Sequence, residues 1–357
     1  MSYQWAIDAE EVFGERYPQM INTGLPVGDV NAARAAISEM WPDAPGGWVY
    51  EWSQLASRYA AADSHHLAAL AYGWAKFPTL ADDAKRTALA RQIEQYLLAA
   101  PNFGIGFERR ILDIPHQGTP TPVPVHIFTP VDVDDTAPIL LISGGVDTWK
   151  VDLHTLMVGL AAQTHTRVMA FDIAGTGESA VPMTPEGGAE IVRGLIAEAR
   201  GLGNGLVVHV GISMGGHYSA HSGLTGEVDA AVVLGGPVDA AFAPGGLTRF
   251  GMRGIISNAL GFDHEPTDSE LSETIAAFRL GALFDTDVNA PMLIVNGADD
   301  VHVPQHDTLV FEGRRDTEVH LLPGTGHCAV TKMPEVVPLI TDWIVRTLAT
   351  MSPKETA

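Results

Sequence analysis

One serine in this chain stands where a hydroxyl could act as a nucleophile. Gly211-Ile212-Ser213-Met214-Gly215 has the form G-x-S-x-G; an apolar run, Leu206 to Val210, precedes it as a buried strand would, and small residues from Gly215 to Ser222 follow as a tightly packed helix would. Glycines at such a corner relieve steric conflict and lift the Ser213 hydroxyl off the sheet edge at the positive end of the next helix. A serine hydroxyl is a weak nucleophile until a neutral imidazole takes its proton, and the imidazole needs an acceptor that fixes its tautomer. Candidates for both lie downstream in the order Ser, Asp, His. Asp300, beside its neighbour Asp299, closes "LIVNGADD", and His327 follows "LLPGTG", where Gly324 and Gly326 let the loop fold back. Acyl transfer also needs donors for the developing oxyanion. The Met214 N–H is one; the loop "SGGVDTWK" supplies the other from Val146, with Gly145 next to it. Asp147 reads as the N-cap of a helix beginning near Trp149.

The rest of the chain supplies elements that could carry these groups. From Asp29 to about Ala100, "DVNAARAAISEMW", "WVYEWSQLASRYAAA", "DSHHLAALAYGWAKF" and "DDAKRTALARQIEQYLLAA" space apolar residues three and four apart, as helices do. Asp29, Asp63 and Asp82 sit at N-cap positions, and Trp41, Trp48, Trp52 and Trp74 read as core and interface anchors. Past "PNFGIGF" come short apolar runs: "RRILDIP", "VPVHIFTP", "APILLIS", "RVMAFD", "LVVHVGI", "DAAVVLGG", "APMLIVNG" and "TEVHLLPG". The first two are joined by a turn-rich link and predict an antiparallel pair; the later ones alternate with helical stretches and predict a mostly parallel sheet covered on both faces. Residues 237–288 interrupt that alternation with two helical patterns and a glycine-proline lead-in, the mark of an inserted cap. The expected organisation is a helical accessory or lid domain over residues 1–105 and a catalytic domain over 106–357, the two covers together roofing the site.

"SGGVD", "FDIAGTGES", "GISMGG", "NGADDVHVP" and "GTGHC" occur in that order, and with them residues 109–350 resemble the α/β-hydrolase superfamily. The helical segment ahead of "GGVD" is similar to that of a subgroup with FrsA-like esterases, a nicotine-pathway carbon–carbon hydrolase and fungal polyketide-shortening hydrolases. The resemblance implies an α/β-hydrolase fold, an eight-stranded and mostly parallel sheet with helices on both faces, plus the helical domain and the cap. It also selects Asp300 over Asp299, since it places the acid four residues before a proline. The glutamates that often follow the lysine of the "GG-x-D" loop are missing from "KVDLH", so no substrate class is carried over.

Composition narrows the partners. The 357 residues carry 43 acidic and 21 basic side chains, a formal charge of −22, which repels nucleic acid and anionic membranes. No apolar stretch approaches the roughly 18 to 20 residues of a membrane helix, and the amino terminus lacks the pattern of a secretory signal. The single cysteine, Cys328, leaves no internal disulfide and fits a reducing cytoplasm, where it reads as a small buried residue. "GTGES" lacks the third glycine of a dinucleotide loop, so no cofactor is expected. His302 and His306 read as solvent-facing residues rather than metal ligands, His65 and His66 as a surface pair, and His217 as a candidate for the pocket lining. Together these features predict a cofactor-independent, metal-independent serine hydrolase of cytoplasmic location that cleaves a carboxylic ester of a small molecule, with Ser213, His327 and Asp300 as its triad. Its kcat/KM should rise through an apparent pKa of roughly 6 to 7. Two alternatives stay open: carbon–carbon cleavage of a β-diketone, acylphenol or polyketide-like substrate by the same triad, and a non-catalytic binding protein. A homodimer is compatible with the sequence.

Overall fold

The computed structural model describes residues 4–352. Helices α1 (Ala9–Asn22), α2 (Val27–Ala36), α3 (Trp48–Ala61), α4 (His65–Lys76) and α5 (Asp83–Ala99) precede strands β1 (Gly106–His116), β2 (Thr119–Thr129) and β3 (Ile139–Ser143). Alternation follows, with α6 (His154–Thr164), β4 (Arg167–Phe171), α7 (Pro185–Leu202), β5 (Val207–Ile212), α8 (Met214–Leu224) and β6 (Ala230–Leu234). The long connection after β6 contains α9 (Met252–Ala259), α10 (Asp268–Ala276) and α11 (Gly281–Phe284). Then come β7 (Met292–Gly297), α12 (Gln305–Leu309), β8 (Thr317–Leu322) and α13 (Met333–Ala349). Among the described residues no helix is long and apolar enough to cross a membrane.

The strands form one eight-stranded sheet in the order β1-β2-β4-β3-β5-β6-β7-β8. β1 and β2 pair antiparallel, β2 meets β4 antiparallel, and every later pairing is parallel. Strands β3 to β7 are buried along their whole length, as the continuous apolar runs predict for strands covered on both faces. Ser143, the last residue of β3, pairs with Gly211 on β5 and with Phe171 on β4, so the loops leaving these three strands emerge at one edge. Ligands bind beyond the carboxyl ends of strands in sheets of this kind.

The chain divides into two compact units. The helical unit holds residues up to Gly104 together with Val151–His154 and Thr248–Pro266, so part of the long connection after β6 belongs to it; the rest of the chain forms the sheet unit. An aromatic cluster fills the helical unit. Trp48, Trp52 and Leu55 share one face of α3, and Trp48 and Trp52 lie within 5.4 and 5.9 Å of the Phe13 ring. The Trp48 indole N–H donates to the Trp74 carbonyl at 2.6 Å, and half-buried Trp41 donates to the Trp5 carbonyl at 2.7 Å. Lys85 is fully buried among these rings. Its ammonium donates to the Phe77 carbonyl at 2.5 Å and lies 5.6 Å from the Trp41 ring and 6.0 Å from that of Trp48. Burial pushes its pKa down to about 7.

Three local expectations fail here. Helix α1 lies ahead of the region that reads as helical; it runs through Gly14 and Pro18, and Asp8 caps it by accepting from the Glu11 N–H at 2.8 Å. Of the aspartates expected as N-caps, only Asp82 is one, accepting from Lys85 N–H at 2.9 Å. Asp29 sits inside the first turn of α2, and Asp63 takes a left-handed conformation (φ 54°) with Ser64 before α4.

Candidate active site

Ser213 adopts φ 56° and ψ −123°, a conformation that L residues rarely hold, at the turn between β5 and α8. The turn is held by its backbone: Ser213 N–H donates to Leu234 C=O on β6 at 2.8 Å, and Gly216 N–H donates to Ser213 C=O at 2.8 Å. A β-carbon on Gly211 would lie 2.0 Å from the Gly215 carbonyl oxygen, and one on Gly215 would lie 2.5 Å from that of Gly144. Larger residues at either position would push the turn apart, which is why glycines frame the serine.

Three side chains from distant parts of the chain meet here. His327 Nε2 is 2.9 Å from Ser213 Oγ, and His327 Nδ1 is 2.7 Å from Asp300 Oδ2. The second Asp300 oxygen accepts from the N–H groups of His302 at 2.8 Å and Val303 at 3.1 Å. Asp299, one residue earlier, is exposed, and its N–H donates to Thr325 C=O. Sequence reading missed Asn296, a polar residue inside the apolar run of β7. Its amide donates to Asp300 Oδ2 at 2.9 Å and its oxygen accepts from Cys328 N–H at 3.1 Å, so one buried side chain holds both the acid and the histidine loop. Cys328 is buried as expected, and its thiol donates to Leu234 C=O at 3.4 Å.

Electrostatics follow from these contacts. Burial opposes ionisation of Asp300, but the adjacent His327 and the donors of Asn296 and His302 hold its carboxyl at about 2. Burial alone would lower the His327 pKa; the Cys328 sulfur and the Asp300 carboxylate more than offset it and hold the imidazole well above its ordinary 6.5. The expected range of roughly 6 to 7 therefore moves upward.

The loop after β3 lies directly against the serine. A β-carbon on Gly145 would fall 2.9 Å from Ser213 Cβ and 3.0 Å from its Oγ, so only glycine fits. The Gly145 N–H donates to Thr148 C=O at 3.0 Å and is not free to act as an oxyanion donor. No acceptor engages the Val146 N–H among the described residues, and Met214 opens α8, where backbone N–H groups have no partner within the helix. The helix after this loop begins at His154, not near Trp149, so Asp147 does not cap it; its carboxylate accepts from the Thr148 hydroxyl at 3.2 Å.

Two of the histidine readings fail here. His302 is buried and packs edge-on to His327 at 5.5 Å, while only His306 is exposed. His66 is half-buried, 4.9 Å from the His154 ring, so His65 and His66 are not a surface pair. His217 packs against Tyr218, Phe242 and Phe278, with its Nδ1 3.3 Å from the Pro237 carbonyl oxygen; burial pushes its pKa down to about 3. Asp307, which the sequence did not single out, is fully buried and accepts from the N–H groups of Val238, Asp239, Ala240 and Ala241 at 2.6 to 3.2 Å. It anchors the start of the long connection after β6.

Strand order and structural likeness together define the α/β-hydrolase fold. In sequence the chain is similar to Esterase FrsA of Vibrio cholerae serotype O1, at 26% identity over 215 residues, 55% of this chain and 50% of the relative. The chain thus spans about half the length of the curated relatives it matches. Among solved structures, 2,6-dihydroxy-pseudo-oxynicotine hydrolase superposes with a TM-score of 0.77 at 20% identity, over 95% of this chain and 98% of that one. AbyA5 superposes with a TM-score of 0.75 at 17% identity, over 96% and 99%. No family model matches the chain.

Proposed function

We propose that the protein is a serine hydrolase that cleaves a carboxylic ester of a small organic molecule through an acyl-enzyme. The observation that carries this reading is the hydrogen-bonded row of Ser213, His327 and Asp300 at a strained turn. Ser213 Oγ attacks the ester carbonyl while His327 Nε2 takes its proton. Asp300 accepts the Nδ1–H, which leaves Nε2 free to act as the base, and steadies the imidazolium that forms. His327 then protonates the leaving alkoxide. In the second half water enters, His327 removes its proton, and the acid and free Ser213 are released. The N–H groups of Met214 and Val146 serve the oxyanion; Gly145 contributes the space that lets the loop reach the serine. The similarity to Esterase FrsA supports the choice of an ester.

The test is steady-state turnover of an activated short-chain aryl ester by the purified protein, expected at ~1 s⁻¹ or faster. Ser213→Ala should lower kcat by about 10⁴-fold or more and abolish labelling by a fluorophosphonate. A single burst of phenol followed by stalled turnover, with a β-diketone cleaved continuously, would replace ester hydrolysis by carbon–carbon cleavage. Absence of labelling in the folded wild type would leave a binding protein.

A further inference from the structure

The loop that carries Val146 has an unusual base. Lys150, four residues on, is 1% exposed, and its ammonium lies between two carboxylates: Asp172, and Glu178 at 2.7 Å. The Lys150 backbone N–H also donates to Asp172 Oδ1 at 2.9 Å. Glu178 donates its own N–H to Asp172 Oδ2 at 2.9 Å and receives a two-pronged contact from Arg109, 2.8 Å on each arm. Two cations and two carboxylates thus form a neutral, interlocked quartet. Burial works against the Glu178 charge, but Arg109 and Lys150 hold its pKa at about 2.

We infer that Lys150 and Asp172 are positioning residues that set the Val146 N–H for the oxyanion. This rests on the serine-hydrolase reading above. Asp172 directly follows Phe171, and Phe171 pairs with Ser143, the residue from which the loop departs. The end of β4 therefore holds the loop at both of its roots, through the sheet on one side and through the Asp172 carboxylate on the other. Between the roots the loop closes on itself, with Gly145 N–H on Thr148 C=O and the Trp149 indole N–H on Val146 C=O at 3.2 Å. A stretch containing Gly144 and Gly145 has wide backbone freedom on its own. An oxyanion donor works only within a few tenths of an ångström of its place, and losing one costs about 10²- to 10³-fold in rate. The Lys150 ammonium is surrounded by its two carboxylates, so it acts through the backbone it anchors and not as a donor to substrate.

Lys150→Met should lower kcat by about 10²-fold with KM changed by less than about threefold. Affinity for an arylboronic acid, a mimic of the tetrahedral intermediate, should fall in step with kcat. Because Lys150→Met strands Asp172 and can unfold the protein, the double variant Lys150→Met/Asp172→Asn is the decisive one: it leaves Arg109 and Glu178 balanced. The double variant should regain thermal stability without regaining kcat or boronate affinity. Recovery of kcat together with stability would overturn the inference and reduce the quartet to a structural element. If wild type and Ser213→Ala are equally inert towards the ester, the hydrolase reading fails and this one with it; a fully active Lys150→Met overturns this one alone.

Discussion

Three lysines are buried among the described residues; Lys76 is paired with Asp152 at 2.7 Å, and the other two are buried in opposite ways. Lys150, in the sheet unit, faces two carboxylates, one of them tied to an arginine. Lys85, in the helical unit, has a backbone carbonyl and the faces of two tryptophans but no carboxylate at ion-pair distance. The first arrangement fixes geometry, because an ion pair with added backbone bonds has one good conformation. The second tolerates a charge without compensating it, and the lysine responds by giving up its proton near neutral pH. Next to the candidate chemistry every buried charge has a partner; in the aromatic core one does not. The contrast suggests that ion pairing in this fold serves placement, while stability comes from apolar burial.

The largest effect expected from breaking a paired charge is at the site itself. Asp300→Asn keeps the shape but removes the acceptor that fixes the His327 tautomer, and kcat should drop by about 10⁴-fold in ester turnover. A loss under tenfold would mean that this pairing does not set the geometry. The next contrast is one of sign. Lys85→Met should stabilise the helical unit at pH 6, by ~4 kcal/mol at most, read from hydrogen exchange of amides in α3 to α5. Lys150→Met should destabilise the sheet unit by ~3 to 5 kcal/mol in the same measurement on β3 to β5. Equal signs would erase the distinction between the two lysines.

A third expectation follows from linkage. Folded Lys85 titrates near 7 and the unfolded side chain near its ordinary 10.5, so between these values the unfolded state binds more protons. Stability of the helical unit should therefore rise as pH climbs from about 7 to 10.5 and flatten below and above that window, a slope that Lys85→Met removes. The smallest effect concerns the pH profile of catalysis. With His327 held above its ordinary value by the Cys328 sulfur and by Asp300, kcat/KM should rise through a midpoint above 6.5, and the residual activity of Asp300→Asn should show that midpoint moved down. A profile flat from pH 5 to 9 would remove His327 as the base.

What the sequence disclosed was local in origin. The turn around Ser213 is written in a strand, two glycines and a helix start that are contiguous, and helices such as α7, Pro185 to Leu202, fall between the strand runs as the alternation predicts. Strand runs were legible because burial on both faces leaves no polar alternation to confuse them. What stayed hidden depends on residues far apart in the chain. Nothing near Asp307 shows that it will gather four amide groups from residues 238–241, and nothing near Lys150 points to Glu178. His302 reads as solvent-facing at the start of a helix and His66 as half of a surface pair, yet packing from other elements covers them. Asn296 left a readable trace, an amide where the strand pattern calls for an aliphatic side chain.

The turn at Ser213 has a consequence for how the chain reaches its native state. Its left-handed backbone conformation is uphill for an isolated segment, and the groups that hold it come from β3, β6 and the loops after β7 and β8. Such long-range pairings form late, because loop closure must precede them. A nascent or partly refolded chain can regain most of its helix signal while the hydroxyl is still unreactive. Recovery of ester turnover during refolding should therefore lag behind recovery of far-ultraviolet circular dichroism, making activity a marker of the last strands to dock.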